Sequence, residues 1–258
     1  ARLRTNAVVG DVATKALAQL GADSRLPGLP VAVQGSPLAE ADAIVLAAYG
    51  VGTLQAATIT VLETKGEVTG GTRLSPNLVA LGPDEWLGQL QARATIAGLT
   101  PDGAPAVHAT PITASTEFLR LRDHAMPAGA TGAVLRVTAR LPFDARIALA
   151  RQTGLETAPA QLSIWADVAD DLAIVIDADA ADPGDRKSKD AARRLVTAVH
   201  AALSLAANDP TIRGVGVATS LVDAHLVAQG TWVRTIIAVG PRHLARAVER
   251  ARAMLGAS

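Results

Sequence analysis

Hydrophobic positions change their period several times along the chain, and those changes lay out its elements. In residues 10–21, GDVATKALAQLG, the positions Val12, Ala13, Ala16, Leu17 and Leu20 recur at helical spacing and Gly21 supplies a stop. Residues 25–37 are punctuated by Pro and Gly and predict irregular chain. The runs 42–50 and 57–68 are rich in β-branched residues with glycines beside them, which predicts strands, and TGGT at 69–72 predicts a turn. Residues 77–82 predict another strand. Pro83 then suits a first helical turn, where its missing N–H costs nothing. Asp84 and Glu85 suit the positive end of the helix dipole, and the helix should run to about Ile96, before Gly98.

The second half repeats these alternations more strongly. A helix is expected over 114–126 with Ser115 or Thr116 as its cap, a strand over 132–141, and a short helix over 143–154 ended by Gly154. Residues 160–168 and 171–179 predict a hairpin around Ala169–Asp170. The longest amphipathic pattern spans 188–209, with Leu195, Val199 and Leu203 on one face, Ser188 as cap and Asn208-Asp209-Pro210 as the stop. Residues 223–240 predict a hairpin turning at Gln229-Gly230. Pro241 then opens a last helix that buries Leu244, Val248 and Leu255.

The same move occurs twice: an apolar run, Gly-Pro, then a helix. Gly82 corresponds to Gly240, Pro83 to Pro241, and Gly98 to Gly256. The expected fold class is therefore α+β, with two related units of antiparallel strands and hairpins backed by helices on one face. The boundaries expected are 1–98 for the first unit, a Pro-rich linker over 99–113, and 114–258 for the second unit. The order of VALGPDEWLGQLQARA, GAVLRVTARLPFDARIALA, ADDLAIVIDAD with AARRLVTAVHAAL, and AQGTWVRTIIAVGPRHLARAVERARAML resembles two-repeat secreted or lipoprotein-type proteins of high-GC, myxobacteria-type genomes. That resemblance covers most of the chain. It implies an envelope location and supplies no activity and no site residues.

Composition narrows the functions. The 258 residues are 49% hydrophobic and only 2% aromatic, so the core must be built from Ala, Val, Leu and Ile. The formal net charge is +0, so no global attraction to nucleic acid or to an acidic membrane is expected. There is no Cys, which removes disulfides, thiolate metal sites and a Cys nucleophile. No apolar run reaches the roughly 18 residues that suggest a membrane span. The chain starts at Ala1 without a signal-peptide pattern, and the location expected is periplasmic or secreted, with a lipid anchor before trimming or the cytoplasm as alternatives.

Candidate chemistry is sparse. YGVGTLQ (49–55) has Gly-x-Gly after a strand, but the third glycine and the following helix of a dinucleotide fold are lacking. RGVGVATS (213–220) fails in a similar way. Asp177, Asp179, Asp182 and Asp185 gather oxygen ligands of the type calcium takes, without EF-hand spacing; a solvated turn is the simpler expectation. His108, His124, His200, His225 and His243 show no zinc-helix spacing, and His200 flanks the apolar face of the long helix, where packing is expected. Arg242, Arg246 and Arg250 form a basic stripe on the last helix that could meet an acidic partner or lipid headgroups, against a solvated helix face. Trp165 and Trp232 sit in expected hairpins and could line a partner-facing sheet surface, against simple core packing.

The leading expectation is a non-enzymatic envelope or secreted module for protein–protein interaction or self-assembly, working through the sheet face opposite the helices. No cofactor is expected. Two alternatives stay open. One is a carrier of apolar small molecules or lipid in a cavity between sheets and helices. The other is an enzyme whose His and Asp residues meet only in the fold.

Overall fold

The computed structural model describes residues 2–4, 41–49, 57–68, 70–96, 115–130, 132–153, 155–180 and 189–254. The helix expected over 10–21, the irregular chain over 25–37, the Gly-x-Gly loop after Tyr49 and the linker 99–113 lie outside these residues. So do His108, Asp182, Asp185, Ser188 and Leu255. The chain divides into two compact units, Ala1–Phe118 and Leu119–Ser258. Both are α+β, with helices packed against an antiparallel sheet.

In the first unit the strands are β1 (Arg2–Arg4), β2 (Ala43–Tyr49), β3 (Ala57–Glu63), β4 (Thr72–Ser75) and β5 (Leu78–Leu81). Four of them form a sheet in the order β4-β5-β3-β2, and the three-residue β1 pairs antiparallel with β2. Helix α1 (Asp84–Ile96) follows β5, and its first turn closes on the Pro83 carbonyl, which accepts from Leu87 N–H at 3.0 Å. Leu87 packs on Leu74 and Ala80, with Val61, Leu78 and Leu90 around them.

The second unit contains α2 (Thr116–His124), which spans the division, β6 (Leu135–Arg140), α3 (Phe143–Thr153), β7 (Gln161–Val168) and β8 (Leu172–Asp179). Then come α4 (Lys189–Asn208), α5 (Pro210–Val215), α6 (Ala218–Val222), β9 (His225–Gln229), β10 (Trp232–Val239) and α7 (Pro241–Met254). The strand order is β6-β7-β8-β10-β9, all antiparallel. Taken in reverse it is the order of the first unit, so the repeat read from the two Gly-Pro sites extends to the strand topology.

Sheet periodicity assigns the residues of the second unit to two faces. Leu162, Ala178 and Val233 turn one way and pack against Leu195, Val196 and Val199 of α4. Trp165 and Val175 turn the other way, onto Ala125, Met126, Ala130 and Ala133. The unit is thus layered on both sides of its central strands. Each fully buried Leu or Val contributes roughly 1.5–3 kcal/mol of burial.

Four features depart from expectation or add to it. Residues 72–75 form β4 and pair with β5, although the sequence suggested only a turn at 69–72. Asp209 does not simply end α4; its side chain accepts from Thr211 N–H and Ile212 N–H and caps α5. The segment 213–220, compared above with a phosphate loop, falls in the short helices α5 and α6 and the turn between them. The β9–β10 turn is Gly230–Thr231, one residue later than expected, with Gly230 at φ 63.

Candidate functional site

The sheet register of the second unit aligns Thr138, Ser163, Asp177, Arg234 and Val227 across its strands. Asp177, only 1% exposed, is the centre of this row. A buried carboxylate needs partners, and Arg234 supplies a two-pronged one. Its Nε donates to Oδ1 at 2.8 Å and its Nη2 to Oδ2 at 2.6 Å. The hydrogen bonds to Asp177 hold the Arg234 guanidinium pKa above its usual value, against the opposing effect of burial.

The same group ties down the end of α2. Arg234 Nη2 also donates to the His124 carbonyl at 2.9 Å, and His124 Nδ1 lies 2.7 Å from Asp177 Oδ2. The His124 ring stacks on Trp232 with centroids 3.8 Å apart and planes 16° from parallel. Next to it the Ser163 hydroxyl accepts from Ala125 N–H at 3.2 Å and donates to the Arg122 carbonyl at 3.4 Å. Asp123 accepts from Arg122 at 2.7 and 2.6 Å and from Arg136 at 3.0 Å. The Arg122 hydrogen bonds hold the Asp123 carboxyl below the usual carboxylate range. Together these contacts clamp α2 and the chain after it onto the sheet.

This covering layer reaches the last hairpin at Trp232 and Arg234 and leaves the rest of that face open. On β10 the inner positions Val233, Thr235, Ile237 and Val239 are buried, while Ile236 and Ala238 on the other face are exposed. Ile236 is 38% exposed and Val227, on the adjacent strand, 42%. With His225 and Gln229 they form an open strip bounded by Arg234 and Trp232. Among the described residues, β9 has β10 as its one strand neighbour, so its other edge is open.

That edge carries none of the usual guards against pairing, namely charge, proline or a bulge. Its sequence is HLVAQ and its register with β10 is unbroken. The terminal strand of the first unit is different. β4 has four residues, a register shift between Arg73 and Ser75, and an arginine whose guanidinium donates to the Pro76 and Gly66 carbonyls at 2.8 Å each.

The candidates read from sequence fall in separate places. Trp165 is a core residue, 7% exposed, with its Nε1–H donating to the Gly132 carbonyl at 2.8 Å, so in this unit it presents no free surface. Trp232 is half-buried beside the open strip. Arg242, Arg246 and Arg250 are exposed on α7, with Arg250 lying over Gly216. Asp177 is a counter-ion inside the sheet rather than a loop ligand, since both oxygens are taken by Arg234. Among the described residues no cluster of acidic or His side chains could hold a metal ion. His200 is exposed on α4 instead of packed. Between the sheet of the second unit and α4, the side chains of Leu162, Ala178, Val233 and Leu195 pack together. An open cleft of about 330 Å³ lies elsewhere, between the end of α4 and α6, lined by Ser204, Ala207, Thr219 and Val222 among others. No helix among the described residues is long and apolar enough to cross a membrane.

Sequence reasoning missed the clamp. Asp177 is 53 residues from His124 and 57 from Arg234, and no local pattern joins them. Only the strand order, in which β10 inserts between β8 and β9, could have paired Asp177 with Arg234. Compared with models of known families, with curated proteins and with solved structures, the chain matches none, and the resemblance to two-repeat envelope proteins gains no support there.

Proposed function

We propose that the chain is a protein-interaction module whose working surface is the open strip and free edge of the β9–β10 hairpin. One observation carries this reading: β9 is a regular, uncharged edge strand with exposed Val227 beside exposed Ile236. Such an edge offers backbone N–H and C=O groups to an added strand, and its alternate side chains offer apolar contact. The clamp around Asp177 supports the reading because it holds the neighbouring part of the sheet rigid, which lowers the ordering cost of binding. An envelope or secreted location belongs to this proposal and rests on the order of the sequence segments.

Site-specific photo-crosslinking in the producing cell tests it. A photoreactive residue at Val227 or Ile236 should give discrete cross-linked products, and one at exposed Arg246 on α7 should not. Equal labelling from all positions, or none from the strip, would overturn the assignment of the surface.

A further inference from the structure

We infer that the occupant of the β9 edge is a second copy of this chain, joined by antiparallel β9–β9 pairing about a two-fold axis at Val227. The inference rests on the interaction reading above and names its partner. The backbone decides the register. The Thr231 carbonyl accepts from Ala180 N–H at 3.0 Å, so odd-numbered positions at this end of β10 address β8 and even-numbered ones address β9. Gln229, Val227 and His225 stand opposite Trp232, Arg234 and Ile236, and therefore turn their backbone groups inward to β10. The groups left facing outward are those of Leu226 and Ala228.

Two outward residues flanking an inward one are self-complementary in an antiparallel pair. With Val227 on the axis, Leu226 of one copy stands opposite Ala228 of the other. Each then gives one backbone hydrogen bond and takes one. On the sheet face carrying the open strip, Val227 meets its own equivalent and His225 meets Gln229 of the second copy. On the opposite face Leu226 meets Ala228. Apolar thus meets apolar, a polar imidazole meets a polar amide, and no like charges oppose each other, because β9 has none. A two-fold contact requires such matching of a patch to itself.

The geometry yields a direct test. Across the axis Val227 would occupy a non-hydrogen-bonded pair, with Cα atoms about 4.5 Å apart. That lies within the range a disulfide spans, roughly 4.4–6.8 Å. His225 would be separated from its own equivalent by about 13 Å, from four residues of strand rise. The chain has no native Cys, so introduced ones report cleanly. Under mild oxidation, Val227→Cys should give a covalent dimer at least tenfold faster than His225→Cys. Ala228→Pro, which removes an outward N–H and leaves the hairpin bonds in place, should abolish the dimer in native mass spectrometry of an otherwise wild-type chain. The dimer is overturned if Val227→Cys couples no faster than His225→Cys, or if Ala228→Pro leaves the native dimer mass unchanged. It is also overturned if the wild-type chain is monomeric at tens of micromolar. In those cases photo-crosslinks from the strip to a different protein would leave the interaction reading standing, and their absence would remove both.

Discussion

Asp177 is held by Arg234 and His124 from two other elements, so its removal affects more than one contact. Asp177→Ala should cost roughly 3 kcal/mol, at the low end for a broken buried pair because Arg234 is part-exposed and can turn to solvent. Urea unfolding would read the loss, and near-ultraviolet circular dichroism should also change as Trp232 loses its stacked His124. Asp123 gives a pH signature. Its folded pKa is depressed by the hydrogen bonds from Arg122, so its contribution is present above the unfolded Asp value, about 3.9, and is lost as pH falls through the folded pKa. Wild type and Asp123→Asn should therefore differ in stability at neutral pH and converge in acid, by a small margin because both side chains are about one-third exposed. Residue chemistry was only partly legible. Asp177 drew notice for its neighbours in sequence, whereas its partners come from the register of β8 with β10 and from the end of α2.

Elements were easier to read than their corners. Long periodic stretches such as α4, and hairpins such as β7–β8 and β9–β10, follow directly from apolar spacing. The short pieces were hidden, because β4 has only four residues and α5 only six, too few to establish a period. Asp209 looked like a terminator because Asn-Asp-Pro commonly ends a helix, and the same residues also begin the next one. Its cap is measurable. Asp209→Ala should lower stability by about 1 kcal/mol and leave the β9–β10 hairpin intact, checked by thermal melts and by amide exchange in β10. Trp165 shows the other limit. An aromatic in a strand has two faces open to it, and which face is covered depends on the segment after α2, whose packing the sequence does not announce.

The duplicated topology of the whole molecule was visible in outline from the paired Gly-Pro sites, but the difference between the two units was not. It lies in pairing and exposure, which become apparent only when strand order is known. If two copies join through β9, folding and association are linked, and the apparent melting temperature should rise with protein concentration. Ala228→Pro should flatten that dependence; differential scanning fluorimetry over a hundredfold dilution series would show it.

The guarded β4 then sets a limit on growth. A chain with adhesive strands at the ends of both sheets could add further chains head to tail and become a fibre. Among the described residues Arg73 and the irregular register guard β4, so a two-fold β9 contact would use an adhesive strand that β4 does not repeat, and assembly would terminate at a pair.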